Sequence, residues 1–264
     1  MIDDKIKKMA RTGFVAKGVV YGIIGILTFK AAFDMGGQKA GQLQVLEFLE
    51  KQTFGNILLV LMALGLACYA AWRFVQAIKD PENIGDDKKG TAKRIGFFCS
   101  GLLYLGIGVL AALKAFGAGR GSSGSSGSMQ KSSFLASETG LWIIGIVGVG
   151  IIIAGIFQFV KAYKNDYYKK LGLASLGEKK KRETVKKTAE FGLSARGVIL
   201  VIIGFFAIKA AVNSNPSEIK TTQEAFSFLQ DSAYGPWLMG VVAAGLVAYA
   251  AYMFLMARYR RFHA

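Results

Sequence analysis

The sequence predicts an all-α, polytopic membrane protein in which six transmembrane helices form three parallel tandem hairpins around a pseudo-threefold axis, with both termini cytoplasmic. Three observations carry that prediction. The 264-residue chain is 53% apolar, with a mean hydropathy of +0.38. It contains six apolar stretches of about 20 residues, the length that crosses a hydrocarbon core. Its glycines recur in a fixed register three times along the chain.

In chain order, the spans read as Phe14 to Phe33, Asn56 to Ile78, Ile95 to Phe116, Leu141 to Tyr163, Leu193 to Val212 and Pro236 to Ala257. Lys5, Lys7, Lys8 and Arg11 before the first stretch resemble the start of a secretory signal, but the repeats below argue that this helix is kept. The organisation that follows is a basic amino-terminal segment (1–13), repeat 1 (14–78), a cytoplasmic loop (79–94), and repeat 2 (95–163) with a Gly/Ser-rich outer loop (117–133). A basic linker (164–192), repeat 3 (193–257) and a basic tail (258–264) complete it. Gly119 to Ser128, GRGSSGSSGS, has the composition of a flexible connection. Leu46 to Gly55 and Ala225 to Gly235 share a Phe-Leu step before a glycine and predict short amphipathic helices on the outer surface.

Orientation follows from charge. The chain carries 33 Lys plus Arg against 17 Asp plus Glu, and most of the cations fall at the amino terminus, in the second and fourth connections and in the tail. The positive-inside rule places those segments in the cytoplasm, in the cell's inner membrane. Membrane topology and the anionic inner leaflet account for this basicity, so no nucleic-acid partner is predicted. Lys and Arg clustered between Glu178 and Arg196 attract anionic lipid at about 1 kcal/mol per cation near the surface, or dock an acidic cytoplasmic partner.

The repeat is read from glycines. Gly13, Gly18 and Gly25 of the first helix align without gaps on Gly96, Gly101 and Gly108, and on Gly192, Gly197 and Gly204. In the second helix of each unit, Gly55 and Gly65 align with Gly140 and Gly150, and with Gly235 and Gly245. GLACYAAWRF from Gly65 returns as GLVAYAAYMF from Gly245. Such glycines let helix backbones approach closely in lipid, where no hydrophobic effect drives helices together. The tripled pattern ARTGFVAKGVVYGIIG from Ala10, with FLEKQTFG ending at Gly55, resembles a bacterial membrane family known only as domain of unknown function number 1206. That resemblance implies three copies of a two-helix unit and brings no activity. Repeat 2 departs most, with Ser100 where the others carry Lys17 and Arg196.

Candidate chemistry is sparse. One His and two Cys leave too few soft ligands for a haem, zinc or iron-sulfur site, so no cofactor, metal or catalytic residue is predicted and the chain reads as non-enzymatic. Cys68 and Cys99 read as small buried packing residues. No Asp or Glu lies in any span, which weighs against a proton-coupled carrier. The candidates for a polar core or pathway are Tyr21 with its match Tyr104, the deeper pair Tyr69 and Tyr249, Lys30 with its equivalent Lys209, and Arg73 with its equivalent Gln158. Lys30 and Lys209 either ring the axis or snorkel to the outer headgroups. Trp142 and Trp237 at the outer side, and Trp72, Phe157 and Tyr252 at the inner side, read as aromatic belts. The expectation is a module of unknown molecular activity that packs with membrane lipids or other membrane proteins. The alternative is a channel or carrier for a small solute or ion along the axis.

Overall fold

The computed structural model describes residues 3–117, 137–164 and 179–260. The Gly/Ser-rich stretch, most of the basic linker up to Glu178 and the last four residues of the tail lie outside them. Among the described residues there are eight α-helices: α1 (Asp4–Ala32), α2 (Gln42–Glu50), α3 (Gly55–Ile78), α4 (Lys88–Ala115), α5 (Glu138–Lys164), α6 (Lys179–Val212), α7 (Thr222–Gln230) and α8 (Gly235–Tyr259). A 3-10 turn, Pro216–Glu218, follows α6. Six of these helices, all but α2 and α7, are long and apolar enough to span a membrane.

The helix starts are written locally. Asp3 accepts from the Lys5 N–H at 3.1 Å to open α1, and Asp87 accepts from the Gly90 N–H at 2.8 Å to open α4, each satisfying an orphan donor of the first turn. Thr221 and Glu224 form a reciprocal capping box at α7. The first helix of each repeat runs further than its apolar stretch. The third departs most, because α6 begins at Lys179 and not Leu193 and reaches 34 residues, about 50 Å. From Lys179 to Phe191 the chain has neither Gly nor Pro and is rich in Lys, Arg and Glu, all good helix formers. From Lys179 onward the basic linker is therefore a continuation of a helix.

The two short helices start earlier than predicted and bury Val45, Leu46 and Leu49 from α2 and Ala225 and Phe226 from α7. Each is followed by a tight turn into the next long helix. There a Cβ on Gly55 would collide with the Glu50 carbonyl, and one on Gly235 with the Gln230 carbonyl. Glycine is the residue that admits this approach.

The six long helices pack in the order α4, α3, α1, α8, α6, α5, with α3–α4, α1–α8 and α5–α6 as the broadest interfaces and α1–α3 and α6–α8 as narrower ones. First and second helices of the repeats thus alternate around the bundle. One seam is missing: α4 and α5, the hairpin of repeat 2, share no extended interface. In repeat 1, a Cβ on Gly13 would lie 2.5 Å from Tyr69 Cα, and Gly192 abuts the Tyr249 backbone in the same way in repeat 3. Their equivalent Gly96 has no neighbour within 4 Å. Gly65 and Gly245 press on Ala16 and Ala195, whereas Gly150 also meets nothing. Side chains agree: Leu103 is 70% exposed where its equivalents Val20 and Ile199 are 1% and 4% exposed. Of the remaining repeat glycines, Gly18 meets the Phe254 ring, Gly25 the α8 backbone at Ala243, Gly101 the Phe74 ring and Gly108 the α3 backbone at Ala63. Gly197 and Gly204 meet Gly155 and Gly148 of α5.

Two readings of the sequence are corrected here. Cys99 is exposed, not buried, because it lies on the uncovered face of α4. Trp72 and Tyr252 are buried core residues and not members of an interfacial belt, while Phe157 at the same repeat position is 56% exposed.

Candidate functional site

The buried polar groups of the bundle converge near the end at which α1, α4 and α6 begin, the basic end. Lys17 of α1 is 1% exposed and lies one turn inside the apolar stretch that starts at Phe14. It is held by the tight α1–α3 seam: with Gly13 against the Tyr69 backbone, Lys17 one turn further along donates from Nζ to Tyr69 Oη at 2.8 Å. Arg73, one turn beyond Tyr69 on α3, donates to the same oxygen from Nε at 2.9 Å and from Nη2 at 2.5 Å. The third repeat builds the matching contact. Arg196 stands at the position of Lys17, Tyr249 at that of Tyr69, and Arg196 Nη1 donates to Tyr249 Oη at 3.0 Å.

Tyr21 and Tyr104, one turn beyond Lys17 and Ser100, share a hydrogen bond of 3.2 Å between their hydroxyls and close the cluster. The rings are set edge to face: Tyr69 on Tyr104 at 4.7 Å and Tyr21 on Tyr249 at 4.9 Å between centroids. Their π faces receive the cations. Lys17 Nζ is 4.5 Å from the Tyr69 ring and 4.7 Å from the Tyr104 ring, and the Arg196 guanidinium is 5.2 Å from the Tyr249 ring. Contacts of this kind contribute about 2 kcal/mol each when desolvated.

Charge balance is the feature that sets this site apart. Among the described residues, no carboxylate pairs with Lys17, Arg73 or Arg196. Arg73 Nη1 donates to Gln76 Oε1 at 2.9 Å, and Gln76 Nε2 donates to Glu82 Oε1 at 2.7 Å. That carboxylate is already ion-paired with Arg260, which stacks over Phe14 and Trp72. Among the described residues, then, Lys17, Arg73 and Arg196 have no acid of their own, and Glu82 is held by Arg260. Donors are also in surplus. Arg196 Nε is buried with no hydrogen-bond partner. The Tyr69 and Tyr249 oxygens accept from cations, which leaves their own hydrogens to donate elsewhere.

The four tyrosines and Arg73 named from the sequence are thus brought together. Lys30, Lys209 and Gln158 are not. Lys30 is exposed, Lys209 pairs with Glu218 at 3.2 Å, and Gln158 is half-buried on the peripheral α5. Lys114 pairs with Glu50 at 2.8 Å. Sequence reasoning counted Lys17 and Arg196 only as orientation charges. Their signal was present: each lies inside an apolar stretch, at the same repeat position. In repeat 2 the corresponding residues are small, with Ser100 at the position of Lys17 and Arg196, and an exposed Ala154 at that of Tyr69 and Tyr249. The cluster is therefore incomplete on the side of the missing seam.

Comparison with known proteins places the chain in a wider group. A family described as Domain of Unknown Function (DUF1206) matches the chain three times, over residues 12–80, 95–165 and 191–260. The chain is also similar to "Uncharacterized protein YxxB" of Bacillus subtilis (strain 168), with 32% identity over 257 residues, covering 97% of this chain and 91% of the relative. No solved structure matches the chain.

Proposed function

This chain belongs to the family described as Domain of Unknown Function (DUF1206), and from that premise we propose that it is a non-enzymatic module of the cytoplasmic membrane that takes a lipid into the seam between α4 and α5. The basic end faces the cytoplasm with both termini, and the three hairpins are related by a pseudo-threefold axis along the membrane normal. The alternation of first and second helices around the bundle supports that axis.

The observation that carries the reading is the unmade seam. Among the described residues, faces that pack helix on helix in repeats 1 and 3 are bare in repeat 2, where Gly96 and Gly150 leave the backbone uncovered beside the exposed Leu103, Val147 and Phe157. An apolar gap between two spans in a bilayer is filled by acyl chains unless another helix takes it. The buried cluster of cations and hydroxyls lies toward the basic end of the same bundle, and its unmet donors are groups that an apolar protein helix leaves unsatisfied and a lipid headgroup serves. A channel along the axis finds less support, because Lys17, Tyr69 and Tyr249 fill it side chain to side chain.

Cysteine crosslinking in native membranes tests the proposal. In repeat 1, Gly13 meets Tyr69; the matching positions are Gly96 and Ala154. With Cys68 and Cys99 replaced by Ser, Gly96→Cys with Ala154→Cys stays uncrosslinked under mild oxidation if lipid occupies the seam. A bond within one chain, or between two copies, overturns the proposal.

A further inference from the structure

We propose that the cluster of Lys17, Arg196, Tyr69 and Tyr249 is a binding site for the phosphate group of an anionic ligand that enters between α4 and α5. This rests on the lipid-occupied seam of the previous section and names the chemistry at its inner end.

The first support is electrostatic. A buried cation costs several kcal/mol unless it is paired, and Lys17 is buried with Arg73 and Arg196 as neighbours, with no carboxylate among the described residues bound to any of the three. Tyrosine oxygens and ring faces offset part of that cost. They supply partial charges only, so the described residues leave a positive field at the cluster in a low-dielectric setting. Among candidate counter-charges, Glu82 is the nearest connected acid and is already held by Arg260 and Gln76.

The second support is the count of donors. Lys17 uses one of its three N–H groups on Tyr69, Arg196 Nε is buried without a partner, and the Tyr69 and Tyr249 hydroxyl hydrogens are uncommitted. These are four donors of three kinds, ammonium, guanidinium and hydroxyl, in one cluster whose only acceptors among the described residues are tyrosine oxygens. A phosphate group is all acceptor, carries the missing charge, and takes both ammonium and guanidinium donors.

The third support is access. Repeats 1 and 3 each place a cation and a tyrosine toward the centre, and at the equivalent positions repeat 2 carries a half-buried Ser100 and an exposed Ala154. Two small residues stand where the others carry large ones, at the one seam that is open. In this proposal the ligand enters from the lipid side past these two small residues to the buried cluster, and the apolar length of the seam suits the chains of the same molecule. Lys17 sits one turn inside the apolar stretch, a depth that a headgroup reaches at the inner interface.

The test is retention of defined lipids by the full chain in nanodiscs, read by native mass spectrometry. The probes are phosphatidylglycerol, diacylglycerol without a phosphate, and inorganic phosphate as competitor. Phosphatidylglycerol is expected to be retained over diacylglycerol by about tenfold or more, and Lys17→Met or Arg196→Gln to remove that preference. Lys17→Arg should keep it. Ala154→Tyr, which fills the small-residue side without replacing a cation, should lower retention of phosphatidylglycerol while the melting temperature holds, so the result does not depend on the charge variants folding well. Competition by millimolar phosphate in the wild type, absent in Arg196→Gln, supports the same site with a soluble phosphate compound as its source. Equal retention of both lipids overturns the phosphate site and leaves the lipid-filled seam standing. Loss of all lipid from the wild type overturns both.

Discussion

Three equivalent glycines give a test of the open seam that does not depend on any ligand. Replacing Gly13 by Ala sets a Cβ 2.5 Å from Tyr69 Cα and 2.6 Å from Tyr69 N, where carbon contacts are normally about 3.5–4.0 Å. Both obstacles are backbone, so no rotamer change relieves them, and α1 must move about 1 Å away from α3. Overpacking of that kind costs about 1–3 kcal/mol. The upper part of that range is expected, because the shift also lengthens the bond from Lys17 to Tyr69. Gly192→Ala repeats the experiment against Tyr249 in the third hairpin. Gly96→Ala meets nothing within 4 Å, and is expected to be neutral or slightly stabilising. The usual gain of about 0.5–1 kcal/mol for replacing a helix-interior glycine shrinks in a membrane, where the unfolded reference keeps its helices. Thermal unfolding of the three variants in the same detergent, followed by tryptophan fluorescence, separates these cases. If Gly96→Ala loses as much as Gly13→Ala, the second hairpin is closed like the others and the reasoning from the open seam fails.

Other consequences follow from single contacts. Tyr69→Phe removes the oxygen that receives Lys17 and Arg73, leaving buried charged donors without it, and should destabilise by about 1–3 kcal/mol in the same unfolding assay, whereas Lys17→Met should be better tolerated because it removes the charge itself. Thr221→Ala breaks the capping box of α7 and should cost about 1 kcal/mol, seen as faster hydrogen exchange of the Glu224 amide. Asp80, in the turn between α3 and α4, accepts from the Ile84 and Gly85 N–H groups at 2.9 Å each, and these bonds hold its carboxyl below the usual value of 3.8. A folded pKa below the unfolded one contributes stability that is present above pH 3.8 and lost as pH falls through the folded value. Protection of the Ile84 and Gly85 amides should therefore fade only in that acidic range, and Asp80→Asn should remove the pH dependence.

What the sequence disclosed follows the physics of each feature. Hydropathy is a property of length and composition, so all six spans were legible, and the glycine register exposed the three hairpins. The amino-terminal extension of α6 was not, since a run such as KKKRETVKK reads as a solvated connection when charge is used only for orientation. Tyr69 and Tyr249 were recognisable because a hydroxyl deep in a span needs a partner. Lys17 and Arg196 were passed over because cations near the start of a span serve topology equally well, and only the folded chain places them against those hydroxyls. The open seam was hidden more completely: Gly96 and Gly150 preserve the repeat pattern whether or not the helices that carry them meet.

That preserved pattern leads to a last prediction, because a glycine face has different uses in a closed and an open seam. Where the helices meet, glycine admits the partner backbone, as Gly65 admits Ala16. Where they do not, the same residues leave a shallow groove on each helix, and an acyl chain laid along α5 gains contact with backbone that a Cβ would cover. Replacing Gly150 by Leu therefore has opposite effects on the two properties. Stability should hold, since no atom lies within 4 Å of the new Cβ, while lipid retention in the seam should fall as the side chain takes up the groove. Gly65→Leu should do the reverse, collapsing the first hairpin before any change in lipid binding can be read. Measuring melting temperature and retained phosphatidylglycerol on both variants decides the matter, and a Gly150→Leu protein that melts early with its lipid intact would mean that the groove faces protein.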